Sequence, residues 1–486
     1  MIALVATALA LALAAPWTAS DHREPPAAER GESLGESLGE ALGESMAAGL
    51  TAADTFRHLD AFQAAAEAAD GHRAAGSRGH EISARHAARV LTGAGLRVGY
   101  ERFTFPYRET LAERLTLLPT GEGNEAERHI PVRAMAYTGA TAPGGLTAAL
   151  TPVTAHGTGG AGCAAEDFAG LELTGRVALL ERGECTYAEK QANAASAGAV
   201  AALVYNSEAG ELAGTLGDPD PSALPVGGLT REDGLALLAA VAENPAAAVR
   251  LELRELVEDR ETFNVIADTP GGDPATTVVV GAHLDSVAEG PGINDNASGA
   301  AAVLATALAL AEHEPAGEHP HRVRFALWSA EEMGLRGAEH HVARLTPAER
   351  EATALYLNLD MAGSPNHGLF VHDGAGADER SAAVADDLAA FLGDGDASRT
   401  SAVPFNGRSD YAPFLEAGIP AGGTFAGGDG LKTAEEAALW GGTAGEPYDP
   451  CYHRACDTVE NISTEALAAH TRALARAVGR YAWHLP

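Results

Sequence analysis

Five short stretches of this chain place acids and imidazoles where they could do chemistry. "GAHLDSV" carries His283 and Asp285, and "GINDNASG" carries Asp295. "WSAEEMG" carries Glu331 and Glu332, "LNLDMAG" carries Asp360, and "DPCYHRAC" carries Tyr452 and His453. Taken alone, each residue has a plain explanation. His283 reads as a satisfied, partly buried histidine, Asp295 as the N-cap of an Ala-rich helix, and Asp360 as a turn residue. Together they read differently. Carboxylates that converge on one place repel one another and resist desolvation, and a bound cation removes both difficulties. Two histidines and three carboxylates suit two zinc ions with one carboxylate shared. Metal ions about 3.5–4 Å apart can hold a water between them and clamp a substrate.

The adjacent pair Glu331 and Glu332 poses its own question. Ser329 and Glu332 fit the S-x-x-E capping box of a helix start. Neighbours on a helix are rotated by about 100°. If both glutamates act at one site, they act on it from different directions.

The elements around these residues show how they could meet. "TTVVVGAHLDS", "RVRFALWSAEE" and "ATALYLNLDMAG" are apolar runs that end in the polar residues. They alternate with helical patterns such as "NASGAAAVLATALALAEHE". This alternation predicts a largely parallel sheet covered on both faces. Sites in open α/β sheets form beyond the carboxyl ends of the strands, which is where the acids fall. Upstream, "FRHLDAFQAAAEAA" and "GHEISARHAARVLTGAGL" read as helices and "RVGYERFTF" as a strand. Over residues 130–253 the texture changes to short β-type runs ("RVALLER", "VAALVYN", "LPVGGL"), Gly-rich turns and one helix, "YAEKQANAASAGA".

Length and charge narrow the classes. A chain of 486 residues exceeds one ordinary core, and roughly 100–200 residues per domain gives two to four units. Net charge is −34, with 67 acidic against 33 basic residues. That argues against nucleic acid and against an anionic membrane surface as partners. The apolar run over residues 2–15 is too short for a bilayer span of about 20 residues and suits a signal segment. Residues 1–20 therefore read as a signal peptide and the mature protein as secreted and extracellular. The repeat "GESLGESLGEALGESM" has glycine at the period of its leucines, which opposes a helix. Residues 21–50 read as a flexible low-complexity linker or pro-segment. Four cysteines, Cys163, Cys185, Cys451 and Cys456, leave three disulfide connectivities, of which sequence-local pairing is the simplest. A four-thiolate zinc site is the alternative, without the C-x2-C spacing such sites favour.

In this order, "HLDSV", "GINDNASG", "WSAEEMGLRGAEHHV", "LNLDMAG", "GRSDYAPFLEAGIPAGGTFAGG" and "YDPCYHRACDT" resemble the secreted di-zinc aminopeptidases of the bacterial leucyl aminopeptidase and aminopeptidase Y type. "GRVALLERGECTYAEKQANAASAGAVAALVYN" resembles a protease-associated (PA) domain, a module that relatives insert into the peptidase without catalytic residues. The resemblance implies an α/β fold: a three-layer αβα zinc-peptidase domain with a mixed, largely parallel central sheet, and an inserted β-rich α+β PA domain. The peptidase would occupy residues 51–129 and 255–486, and the PA domain 130–254, with Cys163 paired to Cys185.

Roles follow from the same resemblance. His283 and Asp360 would hold one zinc, Glu332 and His453 the other, and Asp295 would bridge both. Asp285 would orient His283 through its ring N–H. Glu331 would be the general base and Tyr452 would steady the oxyanion. The peptide Asp295–Asn296 would be cis, which is rare outside X-Pro bonds. The substrate's free amine would sit near Glu331, Asp360 and the backbone around Arg408. Met361, Gly407 and Phe425 would line a side-chain pocket favouring Leu, Phe or Met, although Gly407 could serve only a turn and Phe425 only a core. A structural calcium ion occurs in some relatives, and its ligands are not assignable from this sequence. The expected partners are peptides with free N-termini, acted on by a monomer. A carboxypeptidase or amidohydrolase on the same scaffold is the competing enzyme, and a non-catalytic binding protein the competing class. Asn296 and Asn461 fit glycosylation sequons, the first of them inside the site.

Overall fold

The computed structural model describes residues 27–119, 126–156, 160–208, 210–217, 220 and 222–486, with backbone only for 27–33 and 375. The run expected to be a signal segment lies outside the described residues.

A mixed sheet of fourteen strands runs through the described chain. One half of it is built on the strand Asp273–His283, parallel to His321–Trp328 on one side and to Thr353–Asp360 on the other. Ala421–Phe425 continues the parallel set. Antiparallel joins close the margins, to Ala248–Asp268 at one and to Phe370–Asp373 at the other. The mixed, largely parallel sheet is as expected.

Side chains alternate across the sheet, as a pleated strand requires. Val278, Val280 and Ala282 join the core on one face, and Val279 the core on the other. The first face is covered by the helices Ala52–Glu67, Gly299–His313, Glu379–Leu392 and Thr464–Trp483. Gly299–His313 is apolar nearly all round, and such a helix must be buried. It packs against both the sheet and the helix Thr464–Trp483. The second face carries Arg336–Arg344 and Tyr411–Glu416 over an aromatic core in which Tyr356 and Phe414 stack at 4.0 Å.

A second unit repeats the plan on a smaller scale. Leu146–Pro152, Val177–Glu181, Ala201–Tyr205 and Val226–Leu229 run parallel, over their own cores. Two 21-residue strands, Arg97–Leu117 and Ala248–Asp268, pair antiparallel and belong to both units. One end of Ala248–Asp268 borders His321–Trp328 and the other borders Leu146–Pro152. Midway, Phe103, Phe105 and Tyr107 pack with Ala330 and Met333, which flank the two adjacent glutamates.

One expectation fails. The stretch expected as a flexible linker over residues 21–50 contains the helix Ala27–Gly49. A Cβ on Gly39 would meet the Arg480 carbonyl at 2.6 Å, and one on Gly43 the Arg476 carbonyl at 2.6 Å. Glycine at the helical period therefore lets this helix lie directly on the backbone of Thr464–Trp483. Glu36 and Glu40 pair with Arg480, and Glu44 with Arg476. Met46 and Ala47 are 0% and 1% exposed. This tertiary packing overrides a propensity penalty of about 1 kcal/mol per glycine.

Candidate metal centre

Three parallel strands deliver the site. His283 ends Asp273–His283 and Asp360 ends Thr353–Asp360. Glu331 and Glu332 follow the end of His321–Trp328. Asp295 lies in the segment Ile293–Ser298 that leads into the buried helix, and the Asp295–Asn296 peptide is cis. His453 comes from the loop closed by the Cys451–Cys456 disulfide. Ala330, Met361 and His453 all take left-handed φ angles of 54–60°. Such conformations cost non-glycine residues about 1–3 kcal/mol each and cluster at functional sites.

Asp295 divides the site in two. Its Oδ1 lies 3.2 Å from His283 Nε2, and its Oδ2 lies 3.0 Å from His453 Nε2. Asp360 Oδ1 joins the first group at 3.3 Å from His283 Nε2. Glu332 Oε2 joins the second at 3.2 Å from His453 Nε2. In each group of three, the donor atoms lie within 4.8 Å of one another. Glu331 belongs to neither group, and its Oε2 stands 3.9 Å from His283 Nε2.

The electrostatics call for cations. Asp285, Asp295, Glu331, Glu332, Asp360 and Asp410 crowd around two imidazoles. Burial works against a charged His283, but Glu331, Asp360 and Asp295 hold its pKa well above the usual value. Burial likewise opposes a charged His453, which Glu332 and Asp295 hold at about 11. Burial, with Asp360, Asp410 and Glu332 near by, pushes Glu331 well up. His283 Nε2, Glu332 Oε1 and Asp360 Oδ1 are buried without a hydrogen-bond partner. Buried polar atoms are normally satisfied, and here three of them lie in the two donor groups. Two sets of His nitrogen and carboxylate oxygen, each with only three protein donors, fit zinc sites that keep a position open.

The surroundings fix these groups. A chain of hydrogen bonds runs from Trp328 Nε1 to Tyr356 Oη, from Tyr356 to Asn358 Oδ1, from Asn358 Nδ2 to Ser409 Oγ, and from Ser409 to Asp360 Oδ2. Asp457 accepts from the amides of Asn294 and Asp295. Asp285 acts differently from expectation. His283 Nδ1 meets the main-chain oxygen of Asp285 at 3.2 Å, whereas the Asp285 carboxylate stands 3.8 Å from that nitrogen. The carboxylate instead accepts from the amides of Glu331 and Glu332, at 3.2 and 3.4 Å. Nor is Ser329 a cap. Its hydroxyl bonds Thr262, and the helix starts only at Arg336.

Residues 264–478 match peptidase family M28, and residues 146–237 match the PA domain. An aminopeptidase of Pseudomonas aeruginosa is 38% identical to this chain, over 88% of it and 80% of the relative. The chain belongs to peptidase family M28. Leucine aminopeptidase 2 of Trichophyton rubrum is 42% identical over 66% of the chain and 65% of its own length. A zinc aminopeptidase from Bacillus subtilis has a similar structure, with TM-score 0.61 and 28% identity, covering 88% of this chain and 94% of that one. The enzyme is a metallo-aminopeptidase with a PA domain.

A cavity of about 380 Å³ opens on the two donor groups of this M28 peptidase. Asp295, Glu331, Glu332, Asp360, Tyr452 and His453 form its polar end, and Met361, Phe370, Val403, Phe425 and Tyr448 line apolar walls. Arg408 lines it too and donates to Tyr452 Oη at 3.4 Å. Gly407 does not line the cavity. It is exposed and holds a turn at φ 76°, because its neighbours Asn406 and Arg408 occupy the wall instead. Both disulfides join sequence-local partners. The Asn296 side chain is buried and bonds Leu359 and Gly299.

Ser409, Asp410, Asp457 and His372 received no role from the sequence. The first three lie inside the stretches "GRSDYAPF" and "CYHRACDT", so a signal was present. What surrounds them is visible only once the strands are assembled.

Proposed function

We propose that this M28 enzyme is a secreted zinc aminopeptidase. It would remove large apolar N-terminal residues such as Leu, Phe or Met from peptides and proteins, with two zinc ions per chain. One observation carries the reading: Asp295 gives one oxygen to each of two donor groups, while Glu331 stands outside both. His283 and Asp360 would hold one ion, Glu332 and His453 the other, and Asp295 both. Bound zinc supplies Lewis acidity, polarising the scissile carbonyl and lowering the pKa of water.

The protein's own groups do the rest. Glu331, free of both ligand groups, takes a proton from the attacking water and returns it to the leaving nitrogen. Tyr452 stays protonated, because burial and the nearby Asp295 and Glu332 push its pKa far up. Its phenol donates to the developing oxyanion, and Arg408 steadies it from behind. The substrate's free ammonium sits among Glu331 and Asp360, and a blocked amine forfeits that attraction. Met361, Phe370 and Phe425 give the first side chain an apolar wall.

The two disulfides fit an oxidising compartment, and no described helix is long and apolar enough to cross a membrane. Residues 51–129 and 255–486 would form the peptidase around a PA insert at 130–254, with Ala27–Gly49 added to the peptidase side.

Metal analysis of the purified protein, with turnover of Leu-anilide before and after chelation, tests this directly. Two zinc ions per active chain and loss of turnover on chelation are expected. Fewer than two overturns the mechanism, and hydrolysis of N-acetyl-Leu-anilide overturns the aminopeptidase specificity.

A further inference from the structure

Arg73 differs from every other described arginine. It is the one buried arginine among them, at 0% exposure. Its donors go to main-chain oxygens rather than to a carboxylate. Nη1 donates to Leu284, Nε to Pro291 at 2.9 Å, and Nη2 to Gly292. Leu284 lies between His283 and Asp285, and Pro291 and Gly292 lead into Asp295. One guanidinium therefore spans the two loops that carry the first histidine and the shared carboxylate.

The neighbourhood is shaped for it. The Arg73 amide donates to Ser286 Oγ at 2.9 Å, and Ser286 Oγ reaches the carbonyls of Val287 and Gly290. Gly292 takes a left-handed φ of 61°. A Cβ there would meet the Asp295 carbonyl at 2.3 Å and the Arg73 Nη2 at 3.3 Å. The Phe62 ring lies 5.5 Å from the guanidinium carbon. Burying a charge is costly unless it is compensated. Burial lowers the Arg73 pKa to about 10, while Asp285, Asp457, Asp295 and Glu332 hold it up, so it remains a cation at neutral pH. A residue that only filled space needs neither this charge nor this fork. A planar guanidinium can bond several oxygens in fixed directions, which the compact ammonium of lysine cannot reproduce.

We propose that Arg73 is a positioning residue for metal binding: a buried clip that holds the His283 loop and the Asp295 loop at the spacing the metal centre needs. It acts through the backbone and touches neither substrate nor ligand side chains. The proposal rests on the ligand roles given under the proposed function.

The test is zinc competition against a chelator, on the parent, Arg73→Lys, Arg73→Met and Ser286→Ala, with melting of each metal-free form. Arg73→Lys should lose zinc affinity by roughly tenfold to a hundredfold, the range for residues that orient metal ligands. Its metal-free melting temperature should stay near the parent's, KM should be unchanged, and kcat should recover at saturating zinc. Ser286→Ala should move the same way by less. If Arg73→Met does not fold, the two milder variants decide. Parental zinc affinity in Arg73→Lys overturns the proposal. So does a metal-free form destabilised as much as the loaded one, which would mark a purely structural role. A parent that binds no zinc would instead overturn the ligand assignment beneath it.

Discussion

The catalytic sheet and the PA sheet share a plan and differ in what their polar groups lack. Both have parallel strands over apolar cores. Both bury charged and polar side chains. In the PA domain, Lys190 is fully buried, yet it donates to the Ala161 carbonyl. Asn193 donates to Gly162, and buried Asp167 accepts from the amides of His156 and Ala164. Among its described residues, no buried side-chain polar atom lacks a partner. At the catalytic edge, His283, Glu332, Asp360 and Asp410 all keep such atoms. Stranding a buried polar atom costs about 1–3 kcal/mol. Burial of charge therefore does not mark a site. Several unmet donors and acceptors converging on one strand edge do.

The strongest way to break this comparison lies in the two adjacent glutamates. Glu331→Gln should keep both metal ions and lose about 10²–10⁴ in kcat, the usual worth of a general base. Glu332→Gln should lose one ion per chain. Metal analysis beside turnover reads both, and equal metal loss in the two variants would erase the division between them.

The two disulfides give the next contrast. Cys163–Cys185 closes 22 residues and Cys451–Cys456 closes 5. Loop-closure entropy assigns them about 3 and 2 kcal/mol respectively. Cys451→Ser/Cys456→Ser should nevertheless release zinc more readily, because His453 sits in its loop. Cys163→Ser/Cys185→Ser should lower only the melting temperature. Unchanged zinc retention in the first variant would end that distinction. A smaller effect is expected from Lys190→Met in the PA domain: altered melting with kcat/KM unchanged. A shift in kcat/KM would show that the PA domain reaches the chemistry.

The smallest effect concerns acid. His58, His80 and His470 are buried in the peptidase, and burial lowers each pKa to about 3. Unfolded histidines titrate near 6.5. The unfolded chain thus binds more protons below that value, so the stabilisation is present above pH 6.5 and is lost as pH falls toward 3. His470→Gln should flatten the slope of melting temperature against pH between 6.5 and 4. An unchanged slope would assign the acid sensitivity elsewhere.

Much of the donor cluster was legible because its side chains follow apolar runs. His283 and Asp360 end strands, and Glu331 and Glu332 follow one. Asp285 was half legible. Its place beside His283 is local, but its carboxylate bonds amides 46 and 47 residues away, presented by a turn at left-handed Ala330. Arg73 was not legible at all, since its acceptors lie 211–219 residues downstream. Gly407 shows the opposite error: adjacency to a lining residue does not put a residue in the wall. The glycine-bearing repeat misled because propensity is local, while the surface that welcomes its glycines is the far end of the chain.

That repeat has a practical side. Its composition invites trimming the chain at residue 50 to obtain a tidier sample. Such a cut would bare the seam along Arg476 and Arg480, leave them only Asp394 and Asp387 as acidic partners, and open the core that Met46 and Ala47 seal. The shortened protein would carry a newly exposed apolar stripe along this seam. Its first symptom in the laboratory would be clumping on storage, well before any loss of turnover.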